Sequence, residues 1–208
     1  PAPGPKKPSG PSPARRLIEA GVCGPHVRLG RGEVLAAARR LAGHPGPLHL
    51  DGEPVTADEV RDAVAAAAGP FNGARVAIDP DRVLVAAGRA GARLGAVTDA
   101  GGRVAFATAQ PASLLPLYSA VAGACQAGGA TLLDADHSGP YRSGRSLWWH
   151  DGVAVATDGR QLCDERDETA GDEWLFTVGR PTLAVADGVF ALAAIAAGLD
   201  TIAFADLD

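Results

Sequence analysis

Four apolar runs end on, or just short of, side chains with ligand chemistry. VAFATAQP (104–111) closes on Thr108 and Gln110, ATLLDAD (130–136) on Asp134 and Asp136, TLAVAD (182–187) on Asp187, and TIAFADLD (201–208) on Asp206 and Asp208. Carboxylates are hard oxygen donors, and magnesium is usually held by one or two of them together with substrate phosphates. Several carboxylates in one place repel each other unless a cation or a positive substrate group offsets the charge. In open α/β sheets, ligands bind beyond the carboxyl ends of the strands. If the runs are parallel neighbours, their ends form one acidic rim, with Asp134, Asp187 and Asp206 as metal ligands and magnesium as the expected ion. The competing reading is that each aspartate caps the helix that follows it, a role that suits Asp187 in front of GVFALAAIAAG.

Other polar groups fall close to the same strand ends. The turn Thr108-Ala109-Gln110-Pro111-Ala112-Ser113 joins a strand to a helix, a place where N–H groups and hydroxyls suit an anion. The same residues also make an ordinary connection with Ser113 as cap, and the turn lacks the GK[ST] ending of a P-loop. GPYRSGRS (139–146) reads as a loop. Its Arg142 and Arg145 carry forked donors that match phosphate, although solvated surface loops have the same composition. His137 is the histidine placed to move a proton. His150 reads as a turn residue, and His26, His44 and His49 as structural. No GxSxG elbow is present. Cys125 reads as core, and the acidic run after Cys163 disfavours a reactive thiolate there. Of Trp148 and Trp149, one is expected to pack on the core and the other to shield a cleft or an interface. The expected catalytic set is therefore Asp134, His137 and Asp187. Thr108, Gln110, Ser113, Arg142 and Arg145 are expected to hold the substrate.

These groups need a scaffold. RVAFAT reads as a strand, Pro111 to Ala127 as a helix closed by Gly128-Gly129, and TLLDAD as a second strand, making a βαβ unit. SLWWHDGVAVATDG alternates and turns, which predicts a hairpin at His150-Asp151-Gly152. CDERDETAGDE reads as a solvated loop or helix start. TLAVAD and TIAFAD flank a short buried helix. Upstream, Asp79-Pro80 opens a helix whose apolar face runs from Val83 to Leu94. ADEVRDAVAAAAG reads as a helix capped by Thr56 with Glu59 three residues on and stopped by Gly69-Pro70. ARRLIEAG and GEVLAAARRLAG read as short helices, and LHLDGEPVT as a short extended piece. The expected organisation is a disordered leader over 1–13, a helical segment over 14–73 and an α/β domain over 74–208. The expected fold is a Rossmann-like three-layer sandwich with a mainly parallel sheet.

Composition narrows the class. The 208 residues are 47% hydrophobic but only 5% aromatic, so the core is built from Ala, Val and Leu. A net charge of -5 lacks the basic surplus of a general nucleic-acid binder. Three separated cysteines without CxxC spacing argue against a disulfide framework or zinc finger and for a reducing compartment. No run is long enough to span a bilayer, and no apolar segment follows Lys6 and Lys7 to make a secretory signal. The expectation is a soluble cytoplasmic protein, with homo-oligomerisation through Ala-rich helices as a further possibility.

The order RVAFATAQPASLLPLYSAVAGACQAGGATLL, then LWW, then LAVADGVFALAAIAAGLDTIAFAD resembles a group of actinobacterial proteins labelled phosphatase, over roughly the last half of the chain. Those proteins carry Ala-Thr-Gly-His-Pro, Leu-Trp-His, Val-Ala-Asp-His-Gly and Tyr-Ala-Asp. Gln110 stands where they have the first histidine and Gly188 where they have another, while Asp187 and Asp206 are kept. The resemblance implies a phosphatase reaction class. Together with the residues above, it leads to the expectation of a metal-assisted phosphate-ester hydrolase, or related phosphoryl-transfer protein, acting on a small phosphorylated metabolite. The missing histidines support the alternative of a non-catalytic module that binds a nucleotide or sugar phosphate.

Overall fold

Residues 103–108, 153–157 and 183–187 read RVAFAT, VAVAT and LAVAD. In each, a large residue alternates with alanine and a polar residue comes last. In a strand this period sends the alanines to one face and the large residues to the other. The structure is a computed structural model. It describes residues 11–20, 23, 32, 36, 49–50, 53–69, 77–142 and 144–204. The first ten residues of the leader, most of the expected helix GEVLAAARRLAG, His26, His44, Pro70, Asp206 and Asp208 lie outside the described residues.

The described residues fall into two compact units, one ending at Arg89 and one beginning at Ala90. In the first, α1 (Pro13–Glu19) starts within the expected leader and is capped by Ser12. Strands β1 (His49–Leu50) and β2 (Glu53–Pro54) pair antiparallel. Helix α2 (Ala57–Ala68) opens on the expected capping box. The Glu59 carboxylate accepts the Thr56 N–H at 2.7 Å, and the Thr56 hydroxyl accepts the Glu59 N–H at 3.2 Å. Helix α3 (Pro80–Asp99) begins with Pro80 behind Asp79, whose carboxylate accepts the Asp81 N–H.

The second unit holds β3 (Arg103–Thr108), α4 (Pro111–Ala127), β4 (Thr131–Leu132), β5 (His137–Arg142), β6 (Arg145–His150), β7 (Val153–Thr157), β8 (Leu162–Cys163), α5 (Glu168–Val178), β9 (Leu183–Asp187), α6 (Gly188–Ala196) and β10 (Thr201–Phe204). The sheet runs β10-β9-β3-β7-β6-β5, with β4 on β3 and β8 on β7. Strands β10, β9, β3, β4 and β7 are joined by parallel pairings, whereas β5, β6 and β8 attach antiparallel. The sheet is therefore mixed, and the mainly parallel expectation holds only for its central part. The cause is the hairpin at residues 150–153. Asp151 (φ 49) and Gly152 (φ 77) both take left-handed backbone, the requirement of a two-residue turn that reverses the chain.

Two other expectations change. GPYRSGRS is not a loop: Arg142 ends β5 and Arg145 opens β6, across a turn that contains Gly144. The strand TLLDAD stops at Leu132, because β4 and β7 share one edge of β3. β4 takes Arg103 and Val104, and β7 takes Phe106 to Thr108. Gly152 packs on Leu132 at that junction, where a Cβ would lie 2.6 Å from the leucine Cδ1.

The alternation predicts two cores, and both are present. On the alanine face, Ala105, Ala107, Ala154, Ala156, Ala184 and Ala186 let α5 and α6 approach, and Trp174 and Phe190 fill the space between. Their rings meet edge to face at 5.8 Å. On the other face, Phe106, Val155 and Val185 pack under Tyr118, Ala122 and Cys125 of α4. Helices thus cover both faces of β3 and β9, leaving open the strand ends and the outer face of the β5–β6 hairpin.

Candidate functional site

The sheet register brings a row of polar and aromatic groups into line. One residue past the pair Ala107–Ala186, Thr108 and Asp187 stand side by side at the ends of β3 and β9. Phe204 pairs with Asp187 on one side. On the other side, Thr108 pairs with Val155, Val155 with Trp148, and Trp148 with His137. Residues in one cross-strand row face the same way, so this row lies on the face covered by α4.

Asp187 is the centre of the strand-end rim. It occupies the N-cap position of α6 but makes no capping bond. Its Oδ1 instead accepts the Ala109 N–H at 2.7 Å, across from β9 to the turn after β3, and the residue is only 2% exposed. A carboxylate carried into that position is not explained by helix capping. Gly188 makes the crossing possible: its φ is +51, and a Cβ there would lie 2.7 Å from the Ala109 Cβ. The fully buried Tyr118 sits on the same face. Burial first, and the charge of Asp187 next, push its phenol well above the ordinary range, so it remains neutral.

The turn after β3 is tightly knit. Thr108 is fully buried, and its hydroxyl accepts the Gln110 N–H at 3.1 Å. The Ser113 N–H bonds the Gln110 carbonyl at 3.2 Å, and its hydroxyl reaches the same carbonyl at 3.3 Å. Pro111, at the first position of α4, has no N–H. Most of the donors expected to cradle an anion are therefore spent on the turn itself. Of the expected binding residues here, Gln110 is half-buried and Ser113 exposed, and the Ser113 hydroxyl also lies 3.4 Å from the Gln110 Oε1.

Sequence reasoning missed a second cluster beside this turn. Glu165 lies in the acidic run expected to be solvated, yet its side chain is 4% exposed. Its N–H donates to the Ala109 carbonyl at 2.9 Å. Ala109 is thus held from both sides, by Asp187 at its N–H and by Glu165 at its carbonyl. The Glu165 carboxylate accepts the Tyr141 hydroxyl, Arg145 at 2.9 Å, and the N–H groups of Arg166 and Asp167 at 2.8 and 2.9 Å. Burial pulls this carboxyl up, but the four donors together outweigh it and hold the group below its ordinary value. Tyr141 moves the opposite way, pushed up by burial and then by Glu165. Arg145, expected to grip substrate, is bound to Glu165 and to the Asp164 carbonyl. The one available sequence signal was period-two alternation, which carries Glu165 to the same side as Cys163.

The other expected residues are not gathered at this rim. Asp134 follows β4, which pairs with the first two residues of β3, and it is exposed on leaving the sheet. His137 shares the row with Asp187 but sits four strands away, about 19 Å at the usual strand spacing. It lines a separate open groove on the β5–β6 hairpin. Arg142 is held opposite Arg145 by the hairpin register. Asp206 would follow two residues after Phe204, the register partner of Asp187, and lies outside the described residues. Among the described residues, no three His, Cys, Asp or Glu side chains form a group that could hold a metal ion, and no helix is long and apolar enough to cross a membrane.

A family model described as Phosphatase matches residues 15–208. No curated protein and no solved structure matches the chain.

Proposed function

We propose that this chain, which belongs to the phosphatase family matched over residues 15–208, hydrolyses the phosphate ester of a small metabolite at the strand-end rim around Asp187. The observation that carries the reading is the placement of Asp187. It is buried at the end of β9, bound to the Ala109 N–H and not engaged as a helix cap. Such a carboxylate can take a proton from water as the water oxygen attacks phosphorus and the bond to the ester oxygen breaks. Gln110 and Ser113 supply the side-chain donors at the mouth. Ala109, held between Asp187 and Glu165, fixes where the carboxylate points.

Electrostatics supports magnesium as part of this proposal. A phosphate dianion beside Asp187 is repelled unless a cation lies between them, and Arg145 is already bound to Glu165. Magnesium needs only one or two carboxylates in addition to substrate phosphate and water. Asp187 would hold it, with Asp206 as the second ligand, and the ion would neutralise charge on the phosphoryl oxygens. The proton transfer assigned to Asp187 is a separate contribution.

The second reading is a binding module without turnover. Gln110 and Gly188 supply no proton-transfer group, and His137 lies about 19 Å along the sheet. The test is release of p-nitrophenol from p-nitrophenyl phosphate by the purified chain, with and without a chelator. Turnover that falls with chelation and returns with magnesium supports the full proposal. Turnover indifferent to chelation removes the metal and keeps the hydrolase. Stoichiometric phosphate binding with no turnover replaces the hydrolase by the binding module.

A further inference from the structure

In the row on the α4 side of the sheet, Trp148 of β6 is 43% exposed, although it lies in the middle of a paired strand. Its ring stands 5.5 Å from that of His150. With His137, Arg160, Gln161 and Leu162 it lines an open groove of about 410 Å³. Large aromatic side chains on strands are usually packed away; the neighbouring Trp149, pointing to the other face, is 7% exposed. The groove also has a distinct charge. Among the described residues that line it there is no carboxylate, in a chain whose net charge is -5. The nearest acid on the β7–β8 turn, Asp158, is turned to backbone: its Oδ1 accepts the N–H groups of Arg160 and Gln161 at 2.9 Å each. The exposed Arg160 makes no salt bridge among the described residues, although, behind the N–H groups of Gln161 and Arg160, its charge helps to hold the Asp158 carboxyl below its ordinary value.

We propose that this groove is a binding site for a planar ring that carries an anionic group, such as a nucleoside monophosphate. The ring stacks on Trp148, the phosphate meets the forked donors of Arg160, and the Gln161 amide offers both a donor and an acceptor to a ring edge. Aromatic stacking tolerates any flat base, so the ring is recognised as a class and the anion sets its orientation. The site is separate from the rim. Trp148 is three strands from Asp187 along the same row, about 14 Å, so the inference stands whether or not Asp187 hydrolyses phosphate esters.

The chain provides its own reporter. It has three tryptophans, and Trp149 and Trp174 are buried while Trp148 is exposed. Adenosine 5′-monophosphate is titrated into the full chain while tryptophan fluorescence is followed, with adenosine, ribose 5-phosphate and inorganic phosphate as separate titrants. The expected result is saturable quenching by the nucleotide, with adenosine and ribose 5-phosphate each at least about tenfold weaker because each lacks one of the two contacts. Arg160→Gln is expected to weaken the nucleotide by about tenfold. Trp148→Ala is expected to abolish its binding in equilibrium dialysis, and Asp187→Asn to leave the quenching unchanged. Both substituted groove side chains are exposed, so neither change empties a core. No saturable quenching up to about 10 mM nucleotide, where a site this open should be occupied, would overturn the proposal. Equal affinity for inorganic phosphate, or quenching lost with Asp187→Asn, would overturn it as well.

Discussion

Replacing Glu165 by glutamine tests whether the cluster beside the rim is a structural clamp. Glutamine keeps the volume and one carbonyl oxygen, so the bonds from the Arg166 and Asp167 N–H groups can persist. What is lost is the charge that faces Arg145 at 2.9 Å, and the new amide N–H₂ points donors at a guanidinium that is itself only a donor. A hydrogen bond to a charged group contributes about 1.5–3 kcal/mol. Arg145 is 34% exposed and recovers part of its solvation, so the expected loss is about 2 kcal/mol at pH 7. That is roughly a 30-fold fall in the folded-to-unfolded ratio. The assay is urea unfolding followed by tryptophan fluorescence, which reads the second unit because all three tryptophans lie in it. The midpoint should drop by about 1 M at a slope near 2 kcal/mol per M. The pH dependence gives a second readout. Glu165 is held below its ordinary value of 4.5 in the folded chain. Its stabilisation is therefore complete above that value and is lost as pH falls through the lower, folded value. The gap between wild type and variant should close in acid. A variant within about 0.5 kcal/mol of wild type at pH 7, the spread of ordinary surface changes, would refute the clamp.

Two further outcomes follow from the rim. His137→Ala should leave the rate of phosphate-ester hydrolysis within about twofold of wild type, because a proton cannot pass directly over the roughly 19 Å that separates His137 from Asp187; a hundredfold loss would mean that the histidine reaches the reacting water. Gly188→Ala should lower stability by about 2 kcal/mol, since the residue has φ +51 and its Cβ would meet that of Ala109 at 2.7 Å. Differential scanning calorimetry should record a fall of about 4–8 °C, and an unchanged melting temperature would remove the close approach of these two residues.

Local chemistry was the most legible part of the sequence. The Thr56–Glu59 capping box, the helix from Pro111 to Ala127 and the Asp151-Gly152 turn were readable because each depends on residues within a few positions of one another. The β3–α4–β4 unit was readable for the same reason. What the sequence hid was competition between distant segments. TLLDAD has the pattern of a full strand but loses its last four residues as a strand because β7 occupies the same edge of β3. GPYRSGRS has the Gly, Pro and Ser content of a loop, yet it pairs as the β5–β6 hairpin, and the register shifts on either side of Pro140 record that mismatch. At the rim, the alignment of Thr108 with Asp187 followed from reading both runs as parallel strands. That Asp187 binds Ala109 instead of capping its own helix could be found only once the neighbour was known. Glu165 was hidden for the reason opposite to that of TLLDAD. An acidic run looks solvated, and only the fold supplies the donors that let one of its members be buried.

Asp187→Asn is the most direct measurement. The amide can still accept the Ala109 N–H through its oxygen, so the fold around it should persist, while the base is removed. Turnover of p-nitrophenyl phosphate is expected to fall by at least about a hundredfold, the low end of what a positioned acid–base group contributes, with an unchanged circular dichroism spectrum. A variant that folds normally and keeps the wild-type rate would place the chemistry elsewhere in the molecule.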